Sequence, residues 1–426
     1  MFSYGCLAGS PLRYRSLDSL RSCVCISHDR CRPACSARDL RHSNKKRRDC
    51  AVTRKVILSL LSLLVLGLTG CWDQSLLKDS NLITCVGIDQ NEKGKVELTA
   101  TTNIGIPEVG VAHSTQGKGG LIVTALGNTV REARIMIDRK TTKSLNASEL
   151  QIVLVSDSFA RKNFISPLNV FFRDRLSNLH AKIIIVEGSP SHLMRTISKD
   201  NPQVGRYLAD MLRGQEKRFI VPAVNLGSII GDILPPGKDA LIPVMKVQAD
   251  EAQMHGTAMI HDEKMKGILT ADETVTALSF TPSEPNEAMI TLKVEQGLFP
   301  PIRNYMTIAV VGKKRNLHVH IDRNNKIIAQ LDAVLTAHIQ EFDKYDTYSE
   351  ANIQKWNREL SEQLTKKAKD TVDKLQKNQC DLYGIGERIR AFHPKLWSSL
   401  DWETAYGEVE FQVQVKVQIQ HTGGVN

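Results

Sequence analysis

Apolar and polar positions along the chain change period several times, and each change predicts an element. Fifteen uncharged residues, Val56–Gly70, read VILSLLSLLVLGLTG directly after Arg54-Lys55. Beyond them, Leu82–Ile88 and Val96–Ile104 flank the polar Asp89–Gly94, the pattern of a β-hairpin. Gly105–Gly120, with five glycines and a proline, reads as a loop. Leu121–Ala125 follows as a strand, and Thr129–Asp138 as a helix with apolar positions at helical spacing. Leu150–Val155 and Ala181–Val186 are continuous apolar runs, as expected of strands covered on both faces. Helical patterns fall between them over Phe159–Phe172 and after them at Ser189–Arg195 and Gln203–Gly214, so the first half reads as an α/β layer. Gly231–Pro243 holds a Pro-Pro-Gly turn that could end this module.

The second half begins as a meander, with strands predicted at Val244–Val247, Gly256–His261, Lys264–Thr270, Met289–Val294, Thr307–Gly312, His318–Ile321 and Ile327–Ile339. The period then changes: Ile353, Trp356, Leu360, Leu364, Ala368, Val372 and Leu375 mark a long amphipathic helix. Last, Val409, Phe411, Val413, Val415, Val417 and Ile419 alternate with polar residues, predicting a long half-buried antiparallel strand. The fold class expected is α+β and multi-domain: a mixed α/β N-terminal module, then a C-terminal antiparallel sheet packed on a long amphipathic helix. The expected divisions are 1–51 as a leader outside the fold, 52–70 as a signal peptide, 71–243 as the N-terminal module and 244–426 as the C-terminal module.

Charge and cysteine placement refine this picture. The formal net charge of the 426 residues is +10. Residues 1–55 carry thirteen Lys/Arg against four Asp, which is +9, so the chain from Trp72 onward is nearly neutral. That balance offers no electrostatic case for nucleic-acid binding. Six of the nine cysteines (Cys6, Cys23, Cys25, Cys31, Cys35 and Cys50) also precede the apolar run, leaving Cys71, Cys85 and Cys380. The spacing of Cys23, Cys25, Cys31 and Cys35 lacks the paired two-residue gaps usual in zinc sites. This Arg- and Cys-rich leader has no periodic apolar pattern, and the expectation is a true translation start near Val52.

Fifteen apolar residues fall short of the roughly 20 needed to cross a bilayer as a helix. A basic head, a short apolar core and small residues at its end describe a secretory signal peptide. Leu68-Thr69-Gly70-Cys71 fits the bacterial lipobox, in which cleavage exposes a cysteine that takes diacylglycerol on its thiol and a fatty acyl group such as palmitate on its amine. Cys71 is therefore the predicted lipidation site, and an ordinary signal peptide ending at a cysteine is the alternative.

No catalytic constellation outweighs a structural explanation. His318 and His320 share one strand face and His338 falls in the next strand; three imidazoles could hold zinc, but histidines on a half-exposed sheet are the commoner case. Gly384-Ile385-Gly386 lacks the preceding strand and third glycine of a dinucleotide loop. Asp401 and Glu403 beside Trp402 read as surface-turn carboxylates. Cys85 reads as a buried small apolar residue, and Cys380 could be redox-active only with Cys85 as partner. No catalytic residue, metal or cofactor is predicted.

Two stretches together resemble a known family. One is Cys71-Trp72-Asp73-Gln74 running into LLKDSNLITCVGIDQ; the other is CDLYGIGERIRAFHPKLW from Cys380, with Asp401-Trp402 and the closing strand ending in HTG. GNTVREARIMIDRKTTKSLNASELQIVLVS fits between them. These resemble the Ger(x)C spore-germination family, the lipoprotein C subunits of nutrient germinant receptors in endospore-forming Firmicutes. The likeness covers about Cys71 to Gly424; Ser75-Leu76-Leu77-Lys78 departs from the family's Arg-Glu-rich stretch, and residues 1–50 have no counterpart. The resemblance implies a non-enzymatic subunit, lipid-anchored through Cys71 on the outer face of the spore inner membrane. Its implied partners are integral-membrane A and B subunits, with a nutrient germinant sensed by the complex. A solute-binding lipoprotein of an importer, with two similar α/β lobes, is the competing reading. A secreted hydrolase using His318 and His320 is the third.

Overall fold

The computed structural model describes residues 80–102, 121–285, 287–343 and 349–421, with Ser59 alone before them. Cys71, the cysteine-rich leader, the rest of the apolar run and the Gly105–Gly120 loop lie outside the described residues.

The hairpin forms as predicted from β1 (Ser80–Gln90) and β2 (Val96–Thr102), paired antiparallel. Its turn is held by Asn91, whose Oδ1 accepts the N–H groups of Lys93 and Lys95. After β3 (Ile122–Gly127), helix α1 (Val130–Asp138) starts at Thr129, whose side chain accepts the Glu132 N–H. The chain continues through β4 (Ser144–Asn146), β5 (Ile152–Ser156), the short α2 (Asp157–Ala160) and α3 (Asn169–Arg173), and β6 (Lys182–Glu187). Then come α4 (Pro190–Ser198), α5 (Val204–Lys217), α6 (Leu226–Ile233), β7 (Ala240–Gln248), β8 (Glu251–His261) and β9 (Lys264–Leu269).

These strands make one nine-stranded mixed sheet in the order β3-β2-β1-β5-β6-β7-β8-β9, with β4 beside β1. Its centre, β1-β5-β6-β7, is parallel, as the helical crossovers require. The two apolar runs are covered on both sides. Val153, Val155, Ile183 and Ile185 pack toward α1 and α6, while Ile152, Leu154, Ile184 and Val186 pack toward Leu193, Leu208 and Leu212 of α4 and α5. Each such side chain taken fully from water contributes about 2 kcal/mol, which accounts for unbroken apolar runs with no polar alternation. Position 243/244, the expected end of the first module, lies inside β7, and the large sheet runs on to Leu269.

The C-terminal part contains α7 (Ala271–Leu278), β10 (Ala288–Lys293), β11 (Tyr305–Ile321), β12 (Ile327–Glu341), α8 (Glu350–Lys377), α9 (Ile385–Phe392), α10 (Pro394–Trp397), α11 (Trp402–Gly407) and β13 (Glu410–His421). The strands form a four-stranded sheet, β10-β11-β12-β13. The long helix predicted from Ile353 onward is α8, and its stripe Trp356, Leu360, Leu364, Ala368, Val372 and Leu375 is buried in a core shared with Leu331, Leu335, Val413 and Val415. One expectation is corrected: the last strand is not antiparallel but pairs parallel with β12, from Ile328↔Glu410 onward. The cause is α8, which carries the chain back along the sheet so that β12-α8-β13 is a crossover unit. The strands predicted at Thr307–Gly312 and His318–Ile321 are halves of the single seventeen-residue β11.

Helix α8 also closes the sheet's outer edge. Asn357, Ser361 and Thr365 recur every four residues, and their side-chain oxygens accept the N–H groups of Ile419 (2.9 Å), Val417 (2.9 Å) and Val415 (3.0 Å). A four-residue helical step rises about 6 Å and a two-residue strand step about 6.8 Å, so the two repeats match over three positions. Three edge amides of β13 are thus satisfied within the chain.

Candidate functional site at the junction of the two sheets

The CDLYGIG segment, the most distinctive motif of the sequence, is the joint between the two sheets. It begins where α8 ends, with Gln379 at φ 58° turning the chain and Cys380 N–H donating to Leu375 O (3.0 Å). Cys380 and Asp381 are fully buried. Gly384, in the left-handed region at φ 68°, precedes α9 and has no side chain with which to cap it. Asp381 does so from three residues upstream: its Oδ1 accepts Ile385 N–H (2.9 Å) and its Oδ2 accepts Gly386 N–H (2.8 Å).

The Asp381 backbone reaches the other sheet. Its N–H donates to Asp239 Oδ2 (2.7 Å), its carbonyl accepts Asp239 N–H (3.0 Å), and His261 Nδ1 stands 3.0 Å from the same Asp239 oxygen. Asp239 lies just before β7 and His261 ends β8, so both belong to the nine-stranded sheet. A further bond runs from Glu387 N–H to Gly237 O (2.8 Å). The backbones approach so closely there that a Cβ on Gly386 would lie 2.7 Å from Gly237 Cα and 2.6 Å from Trp402 Cε2. Gly237 itself sits at φ 93°. Around this seam the Tyr406 hydroxyl donates to Cys380 O (2.8 Å), and Trp397, Trp402, Tyr406 and Phe411 contact one another in succession, tilted and then edge-to-face, at centroid distances of 5.5 to 6.1 Å.

Burial pushes the Asp381 carboxyl up to about 7, assisted by the Asp239 carboxylate and opposed by the Gly386 and Ile385 N–H groups. Burial also raises the Cys380 thiol and the Tyr383 and Tyr406 phenols, so these three are neutral. A neutral buried thiol is not a nucleophile. Asp381 and Asp239 spend their oxygens on backbone and imidazole partners within the chain. The arrangement performs a holding function: two elements 142 residues apart are locked at hydrogen-bonding distance.

The other candidates do not converge. His318 lies opposite Gln330 and His338 opposite Ala309, so they sit about nine residues apart along the β11–β12 ladder, roughly 30 Å at the rise of a strand. Among the described residues no group of three potential metal ligands comes together. Asp401 leads into α11 and accepts the Thr404 hydroxyl (2.6 Å); Glu403 is exposed, with Oε1 4.0 Å from His261 Nε2. Cys85 and Cys380 are free thiols in separate cores. Gly384 and Gly386 serve the junction. Asp239, Gly237 and His261 were not anticipated. The only local hint is Pro235-Pro236-Gly237, read as a turn with nothing to connect it to Asp381.

Residues 73–247 match the family described as spore germination protein N-terminal domain, and residues 255–423 match spore germination B3/GerAC like, C-terminal. The chain belongs to the Ger(x)C spore-germination family. Gly237 and Asp239 fall in the first matched segment and Asp381 to Glu387 in the second, so the junction ties the two family segments together. Among relatives, spore germination protein KC of Bacillus subtilis (strain 168) is 24% identical over 411 residues, covering 87% of this chain and 97% of the relative. Spore germination protein B3 of the same organism is 22% identical over 383 residues, covering 86% and 98%. The crystal structure of the GerBC protein shares the fold, with a TM-score of 0.52 and 18% identity over 78% of this chain and 96% of that one.

Proposed function

We propose that this Ger(x)C protein is the lipid-anchored C subunit of a nutrient germinant receptor, acting in spore germination beside integral-membrane A and B subunits. The observation that carries the reading is that the first family segment begins at residue 73, directly behind Cys71 and its apolar run, while spore-germination relatives cover 86–87% of the chain. Diacylation supplies the two chains that stable attachment takes, at about 0.8 kcal/mol per buried CH2. Among the described residues no helix is long and apolar enough to cross a membrane. The role is assembly rather than catalysis, and the polar groups at the junction serve internal contacts.

The importer reading requires two similar lobes. The nine-stranded sheet with helices on both faces and the four-stranded sheet crossed by α8 are unlike each other, which favours the receptor.

The test is Cys71→Ala in spores. The expected result is loss of the protein from the inner-membrane fraction, loss of co-purification with A and B subunits, and failure to germinate on nutrient. Normal membrane fractionation together with normal germination overturns the anchor and the role built on it.

A further inference from the structure

The C-terminal sheet treats its outer strands differently. Helix α8 hydrogen-bonds the edge of β13, as described above. Strand β11, by contrast, outruns β10: their pairing ends at Ala288↔Val310, while β11 continues to Ile321 with β12 on one side. Over Gly312–His320 no backbone group on the other side finds a hydrogen-bond partner among the described residues. Lys314, Arg315, Asn316, His318 and His320 in this stretch are exposed. A free edge of this length is a template for a further strand.

Three observations define what fits. First, the edge is basic. Lys314 and Arg315 form no ion pair among the described residues, while Lys313 is turned inward to the carbonyls of Leu278 and Thr281 and has Glu284 as its acidic neighbour. Second, a cleft of about 180 Å³ runs beside the strand, with Leu317 to Val319 on one side and Arg388, Ile389, Phe392 and His393 of the α9 region on the other. The Arg388 backbone N–H donates to Gly384 O, but its guanidinium has no hydrogen bond or ion pair among the described residues, and Phe392 is 75% exposed. Third, the other end of the sheet shows that the chain can cover an edge with helix side chains, and here it does not. One or two lysines suffice to keep neutral strands off an edge; a basic edge beside a cleft with an unpaired guanidinium and an apolar wall is also complementary to an acidic strand.

We propose that the free edge of β11 binds an extended acidic segment of a partner protein by strand addition, with carboxylates meeting Lys314, Arg315 and Arg388 and an apolar side chain in the cleft against Phe392. The main chain of the segment would supply hydrogen bonds to Gly312–His320, and the charges would set partner choice. This inference stands on the sheet and does not depend on the lipid anchor.

The test uses the full chain in mild detergent and a labelled, end-blocked seven-residue peptide of Glu and Val with two Glu at adjacent positions, so that carboxylates stand on both faces of the added strand. Its controls are the Lys/Val counterpart and a Glu/Val peptide with two central prolines, which keeps the charge but cannot donate to a strand. Expected are saturable binding of the Glu/Val peptide, at least tenfold weaker binding of both controls, and at least a tenfold loss with K314E/R315E. The exposed positions of that variant leave folding intact, to be checked by unchanged thermal unfolding, and R388E at the cleft should give a separate loss. Absence of saturable binding, equal binding of the proline peptide, or full binding by K314E/R315E overturns the proposal. So does a concentration-dependent dimer abolished by the same variant, since the edge would then be occupied by a second copy.

Discussion

The carboxyl of Asp381 should make the stability of this protein depend on pH in an unusual direction for an aspartate. Its folded-state value of about 7 lies above the ordinary 3.8, because ionisation takes place inside the seam beside Asp239. A carboxyl raised on folding contributes stability in full below about pH 4, and the contribution is lost as pH rises through about 7. The whole difference is worth about 4 kcal/mol, of which roughly 3 kcal/mol falls between pH 5 and pH 8 at 1.36 kcal/mol per pH unit. Asp381→Asn removes the titration but keeps size and one acceptor oxygen. The amide then faces either the Ile385 or the Gly386 N–H, a pH-independent loss of about 1–3 kcal/mol. The assay is urea unfolding of the full chain in mild detergent, wild type against Asp381→Asn, followed by tryptophan fluorescence at half-unit steps from pH 5 to pH 8. The wild-type advantage should shrink by roughly 3 kcal/mol over that range. A difference that stays constant from pH 5 to pH 8 refutes the reasoning, because titrations of groups not coupled to Asp381 are shared by both proteins and cancel.

Gly386→Ala should lower stability by about 3 kcal/mol through overpacking, since its Cβ would overlap both Gly237 and Trp402; an unchanged melting temperature would show that the backbones can part. Ser361→Ala combined with Thr365→Val should leave the Val417 and Val415 amides without acceptors at about 1–3 kcal/mol each, read as faster hydrogen exchange confined to β13. Unchanged exchange there would mean that the helix oxygens do not protect the edge.

What the sequence made legible was whatever repeats locally. The stripe from Trp356 to Leu375 and the alternation from Val409 to Ile419 each recur often enough to identify an element and its buried face. Direction was not legible. Alternation says which residues turn inward, but β13 is parallel to β12 because of the path taken by α8, and a strand's own residues carry no record of that path. The polar run Lys313–Asn316 concealed the continuity of β11, since an edge open to water needs no apolar residues there. Helix α7 could have been anticipated: Thr270 and Glu273 form a capping box, a local signal. The junction could not. Asp381 reads as one acidic residue in a glycine-containing turn, and its partners Asp239 and His261 lie more than a hundred residues away with no shared periodicity.

The seam also bears on whether the two sheets can move relative to each other. Two modules joined by a flexible linker move independently unless an interface holds them. Here the holding contacts are short and directional: Asp239 N–H donates to the Asp381 carbonyl, Asp381 N–H donates to the Asp239 carboxylate, and Glu387 N–H donates to the Gly237 carbonyl. A packed apolar patch tolerates sliding by a fraction of a side chain, whereas hydrogen bonds between backbones separated only by glycine hydrogens weaken steeply with misalignment. The two sheets therefore turn as one body while the seam is intact. The group most exposed to a change of state within it is Asp381, which takes up or releases a proton near neutral pH while capping α9. Helix α9 in turn forms one wall of the cleft beside β11. A strand bound at that edge and a proton on Asp381 would thus act on opposite ends of the same eight-residue helix, and each would be felt by the other only as far as α9 moves as a rigid rod.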